Sequence, residues 1–115
     1  MGNTVTLRIR ESIWYGRARS QPPPTELEIQ LPEEGTFVLA FHSDRHAFAV
    51  TKIGTDAVEL SPVENPPALV NEDGGIGPGV MAADTRLAVG QSLKVGSWTL
   101  DAGAIWEITV QDIRT

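Results

Sequence analysis

The sequence predicts an all-β protein: a small antiparallel β-sandwich, or a partly open barrel, of about eight to ten short strands with one long Gly/Pro-rich loop. Three observations predict it. Several stretches alternate apolar and polar residues with a period of two, as in Thr4–Arg10 and Glu26–Leu31. Turn-forming residues recur between those stretches throughout the chain. No window of ten or more residues carries an apolar stripe at helical spacing.

In Thr4–Arg10, Val5, Leu7 and Ile9 share one face, and Thr6, Arg8 and Arg10 the other, which is the signature of a half-buried strand. Ile13-Trp14-Tyr15 extends it or pairs with it before Gly16. The following RARSQPPP segment (17–24) is a connection, because three successive prolines hold an extended conformation and cannot sit in a central strand. Leu27, Ile29 and Leu31 alternate with Glu26, Glu28 and Gln30 in a second strand that stops at Pro32. Glu33-Glu34-Gly35 then turns the chain into a central hairpin.

That hairpin, Thr36–Ile53, holds all three Phe and both His of the protein. Its arms are Phe37–Phe41 and Ala47–Val50, and the polar knot His42-Ser43-Asp44-Arg45-His46 joins them. The second arm runs on to Gly54, and Ala57–Leu60 forms another short strand. Ser61–Asp84 breaks the rhythm with four Pro and four Gly in 24 residues, and only Ala68-Leu69-Val70 looks able to form a strand. A mobile, partly ordered excursion is expected there. Gly74–Gly79 is no phosphate cradle, since no strand leads in, no helix or Lys follows, and Pro78 lacks an N–H. Regular spacing returns at Leu87 and Val89, then Leu93 and Val95, then Trp98-Thr99-Leu100. Ala104–Ile113 closes the chain with Trp106, Ile108 and Val110 on one face. Trp98 and Trp106 are expected in the core, and Trp14 fits either the core or the surface.

At 115 residues the chain suits one domain with a real core. Without cysteine there is no disulfide framework and no thiolate zinc site. No apolar run reaches the ~20 residues of a membrane helix. No secretory h-region follows the first charges. A cytoplasmic location with no membrane partner is therefore expected. A formal charge of −6 and a pI near 4.7 argue against nucleic acid. The first 25 residues run the other way, with four arginines against Glu11 alone. This basic edge meets acids within the domain or docks an acidic partner.

Chemistry-bearing residues gather in the hairpin knot. His42, Asp44 and His46 have the donor types of a metal site. On one continuous strand the two His would stand roughly 13 Å apart, too far for one ion, whereas a turn at Ser43-Asp44-Arg45 brings them together. Otherwise they flank the turn, with Asp44 bonding its own backbone. Ser43, Asp44 and His46 spell a Ser–His–Asp set, but three residues of one turn rarely reach triad geometry, and no G-x-S-x-G elbow accompanies them. The chain is expected to be non-catalytic and without cofactor.

Ser43-Asp44-Arg45-His46-Ala47 resembles the S-x-x-H-A signature of forkhead-associated domains, small β-sandwiches that bind phosphothreonine peptides through loops at one end. Asn65 and Asn71 lie close to that family's two loop asparagines. Leu87-x-x-Gly90-x-x-Leu93-x-Val95-Gly96 is similar to its closing segment. The resemblance spans about half the chain. It implies that Ser43 contacts phosphate, His46 braces the loop, Asn65 holds the peptide backbone and Arg45 adds charge. The family's Gly-Arg pair maps only to Gly16-Arg17, further from Ser43 than is usual. Gln91 replaces an acid, and the asparagine spacing is one residue long.

The leading expectation is a non-catalytic protein-interaction module, an adaptor, neutralising or assembly component. It would bind a protein partner through the 61–84 loop, the 42–46 turn and the Arg-rich edge, and self-association fits the same features. The alternatives are a phosphothreonine reader and a small metal-dependent enzyme using His42, Asp44 and His46.

Overall fold

The computed structural model describes residues 4–17, 19–32, 34–70, 76–81, 83–99 and 101–114, with only the backbone of 76–80. Ten strands follow in order: β1 (Thr4–Tyr15), β2 (Thr25–Pro32), β3 (Glu34–Phe41), β4 (Asp44–Ile53), β5 (Ala57–Glu64), β6 (Ala68–Val70), β7 (Ile76–Val80), β8 (Thr85–Ala88), β9 (Ser92–Trp98) and β10 (Ala102–Arg114). They form a six-stranded sheet in the order β2-β1-β10-β9-β6-β7 and a four-stranded sheet in the order β3-β4-β5-β8. Every pairing is antiparallel, and the sheets pack as a sandwich that does not close into a barrel. Among the described residues there is no helix, and so none long and apolar enough to cross a membrane.

Period-two alternation decides which side chains enter the core. On β1, Leu7 and Ile9 point inward, opposite Val110 and Ile108 of β10. On β10, Ala102, Ala104, Trp106, Ile108 and Val110 are all buried. From the other sheet come Phe37, Leu39, Phe41, Phe48, Val50, Val58 and Leu60. Phe37 and Phe48, directly paired across the β3–β4 hairpin, stack with centroids 5.0 Å apart and 13° between planes.

Two expectations change. Among the described residues of Ser61–Asp84, the expected strand at Ala68–Val70 is present as β6, and two more stretches are strand: β5 continues to Glu64, and β7 follows β6. Pro62 is accommodated beside a register shift between Ala47 and Phe48, where the loss of one N–H costs little. β6 adds to the edge of β9 through Ala68–Gly96 and Leu69–Val95, and β7 adds to β6. Met81 N–H bonds the Pro67 carbonyl at 2.8 Å, which returns the chain to the core at Met81.

The second change is Trp98, expected in the core. Val95 and Ser97 point inward on β9, so parity sends Trp98 to the solvent face, where it is half-buried. Its ring lies over Gly96, at which a Cβ would come within 2.5 Å of Cζ3. Trp14 does the same on β1, over Gly103 of β10. Only Trp106 is a core tryptophan.

Phe48 has no solvent exposure and its stacking partner is fixed, so Phe48→Ala should cost about 3–5 kcal/mol in denaturant unfolding. Val38→Ala, on the exposed face of the same hairpin, should stay within about 0.5 kcal/mol. Equal losses would contradict this assignment of faces.

Candidate binding site

The antiparallel order brings five connections to one end of the sandwich. These are β1–β2, β3–β4, β5–β6, β7–β8 and β9–β10. The β3–β4 connection is only two residues long, His42 and Ser43, because Phe41 already pairs with Asp44. A right-twisted two-residue hairpin needs its first loop residue at positive φ, and His42 supplies it at 54°. Ser43, Asp44 and Arg45 are exposed beside it.

His46, one turn of the pleat further on, is turned inward and only 4% exposed. Its Nδ1 lies 2.6 Å from the Asn65 carbonyl; a carbonyl only accepts, so Nδ1 carries a proton and donates. Asn65 in turn donates from Nδ2 to the Arg45 carbonyl at 3.0 Å. Asn65 sits at φ 49°, a left-handed conformation that asparagine tolerates better than most residues. The β3–β4 and β5–β6 connections are thus cross-braced. A second tie crosses the sandwich, where Ser97 Oγ of β9 donates to Asp44 Oδ2 at 3.2 Å.

Beneath these ties lies Trp106. Its Nε1–H donates to Glu11 Oε2 at 2.7 Å, and the His46 ring meets its indole edge-on at 5.8 Å between centroids. His46 Nε2 is buried with no hydrogen-bond partner among the described residues. Elsewhere at this end, Gly16 N–H bonds the Asp101 carbonyl at 2.6 Å, tying the β1–β2 connection to the β9–β10 turn and leaving Arg17 exposed.

No family model, no curated protein and no solved structure matches the chain. Its site is therefore read from its own geometry. Ser43, Arg45, His46, Asn65 and Arg17 all fall at this one end, the first four within a braced pair of connections and Arg17 across on the other sheet. Asn71 lies outside the described residues. The set His42, Asp44 and His46 does not converge: His42 is exposed in the turn, packing at 4.2 Å against Phe41, while His46 points into the core. Among the described residues no group of three or more His, Cys, Asp or Glu is placed to hold a metal. The Ser–His–Asp order does not assemble either, because Asp44 takes the Ser97 hydroxyl and His46 Nδ1 takes the Asn65 carbonyl, leaving no base–orienter bond. Nor does Asp44 make the local Asx bond; it ties the two sheets instead.

Sequence reasoning missed Glu11, Ser97 and Trp106 as supports of the site. Glu11 was visible by parity, since it continues the inward row of Leu7 and Ile9 and so needed a polar partner inside.

Asn65 offers a direct check of the brace. Asn65→Ala loses the Arg45 bond and forces a Cβ residue without a compensating side chain into φ 49°, so it should cost about 2 kcal/mol. Asn65→Gly keeps the conformation and should cost about 1 kcal/mol. Urea denaturation of the two variants should place Ala below Gly; the reverse order would exclude the described conformation.

Proposed function

We propose that this chain is a non-catalytic protein-interaction module that receives an extended segment of its partner across the loop-bearing end. One observation carries the reading. Ser43, Arg45 and Asn65 stand exposed side by side on connections that partly buried bonds hold from beneath, through His46 to Asn65 and Ser97 to Asp44. A surface held this way loses little conformational entropy when a partner docks. Arg17 and Arg45 stand exposed at this end together with Asp44, Glu64 and Asp101, so it offers both signs of charge to a polar partner segment. An adaptor, a neutralising protein and a repeated assembly component all fit such an end.

The second reading is a phosphothreonine peptide as that segment. Two observations favour it: the brace that His46 makes to the Asn65 carbonyl, and the exposed hydroxyl and guanidinium of Ser43 and Arg45 on either side of Asp44. A phosphate would take hydrogen bonds from Ser43 Oγ and Arg45, and the Asn65 side chain would meet the peptide backbone. Arg17, on the other sheet, would act only on a residue flanking the phosphate.

Affinity capture from native lysate, with mass-spectrometric identification and a parallel phosphatase-treated arm, separates the two. A partner held in both arms and lost with Arg45→Ala supports the plain module. A partner lost on dephosphorylation, and lost with Ser43→Ala and Arg45→Ala while thermal unfolding is unchanged, supports the phosphothreonine reading. Binding retained by both variants removes the loop end as the site.

A further inference from the structure

The larger sheet is bounded by β2 and β7, the smaller by β3 and β8. An edge strand presents a row of unpaired N–H and C=O groups, and three of these four edges carry features that discourage pairing. β2 places Glu26 and Glu28 along its length and ends at Pro32. β7 has Pro78 among its five residues, and β8 is four residues long with Arg86 inside it. β3 has none of these guards. It is eight residues long, it pairs with β4 without a bulge, and its segment Thr36–Phe41 holds no charge, no Pro and no Gly. The outer row of that segment, Thr36, Val38 and Ala40, is exposed, Val38 to 45%. The hairpin decides which backbone groups stay unpaired. Phe41 and Asp44 close a two-residue loop and so exchange both hydrogen bonds, as do Leu39–His46 and Phe37–Phe48 in alternation. The N–H and C=O groups of Thr36, Val38 and Ala40 therefore point away from β4, and no hydrogen bond among the described residues reaches them.

We propose that β3 is a self-association edge: β3 of a second copy pairs with it, antiparallel, about a two-fold axis at Val38, and joins the two smaller sheets into one continuous sheet. Reversal about Val38 sets Val38 opposite Val38 and Thr36 opposite Ala40, so the outward backbone groups of one copy meet those of the other. The same reversal brings the acidic end of one β3 to the basic end of the other. Glu34 is exposed and makes no ion pair among the described residues. It comes to face His42 of the second copy, with Arg45 next to Ala40 on the adjoining strand. The residues between are small and uncharged, so no like charges meet along the β3 seam although each copy carries −6. This match between opposite ends of one strand selects a second copy over an unrelated segment. The other sheet leaves room on the same side. β2 and β3 meet where Gly35 lies against Leu31, but Leu27, on the same inward row of β2, is 55% exposed. The smaller sheet stops at β3, and an added strand extends it on the side where Leu27 is uncovered.

The test is sedimentation equilibrium of the intact chain from about 1 μM to about 1 mM. The mass should rise from 12.4 kDa towards twice that value and stop there, because a two-fold pairing uses up the edge. Val38→Lys sets two ammonium groups opposite each other on an exposed face. It should stay monomeric at every concentration with an unchanged circular dichroism spectrum. Glu34→Lys, which acts twice in the dimer, should weaken association about 10-fold. Ser43→Ala should not alter it. The protein has no cysteine, so introduced ones report the register. Opposed residues of a hydrogen-bonded pair have Cα atoms about 5.5 Å apart, within disulfide reach, so Val38→Cys should form a covalent dimer on mild oxidation. Thr36→Cys, roughly 13 Å from its twin, should not, whereas a mixture of Thr36→Cys and Ala40→Cys chains should. A monomer throughout the range overturns the proposal. So does a mass that climbs past the dimer, an association that survives Val38→Lys, or Thr36→Cys cross-linking as fast as Val38→Cys.

Discussion

The indole of Trp106 is where the two sheets and the loop end are tied together. It sits on β10, flanked by β1 and β9, with about 1% of its surface exposed. Burial of a ring this size is worth on the order of 5 kcal/mol. Its N–H would forfeit part of that if left unpaired, and Glu11 on the adjacent strand accepts it at 2.7 Å. The opposite sheet meets the same ring through His46, and His46 holds Asn65. A displacement of Trp106 would therefore be felt at the exposed connections through two contacts. The support of the candidate site thus begins in the most buried layer of the sandwich.

Much of the fold was legible because period two leaves few alternatives. The inward rows of β1 and β10 could be read from Val5, Leu7 and Ile9 and from Trp106, Ile108 and Val110, and all six are buried. The ends of β2 at Pro32 and β4 before Gly54 followed from turn chemistry, and Gly54 does adopt positive φ, at 64°. What escaped was pairing. Ala68–Val70 was readable as a strand and Ile76–Val80 was not, and neither stretch tells that β6 joins the edge of β9 and β7 the edge of β6. An edge template is a tertiary fact and leaves no local trace.

At the site, the residues were legible and their roles were not. The knot His42–His46 was identifiable from residue types, but types cannot say which of two histidines turns inward. That choice follows from the hairpin being closed by two residues, not five: Phe41 pairs with Asp44, so His46 inherits the inward parity of Phe48 and Val50, and His42 is left in the turn. One register decision thus separates the two imidazoles, removes the metal-like grouping and turns His46 into a brace. The partner of that brace, Asn65, is nineteen residues away in sequence. Its approach depends on β5 running on to Glu64, which the proline at 62 made hard to foresee.

The two solvent faces of the sandwich use their freedom differently. On the four-stranded sheet, Thr36 faces Ala49, which faces Ser61, and Val38 faces Ala47: small side chains that the pleat accepts without special geometry. On the six-stranded sheet, two glycines occupy strand interiors at 96 and 103, each costing roughly 0.5–1 kcal/mol against a residue with a side chain. The indoles of Trp98 and Trp14 recover part of that by covering the bare backbone. Coverage alone would be met equally well by alanine at both glycines and smaller residues in place of the tryptophans. The arrangement present does something alanine would not: it sets two indoles against the backbone of β9 and β10, further along the strands from a cross-strand row of alternating charge, Glu26, Arg10, Glu107 and Lys94. The core takes only the inward half of β1, β9 and β10, so the outward half is held by cross-strand pairs alone, indole over glycine and acid beside base.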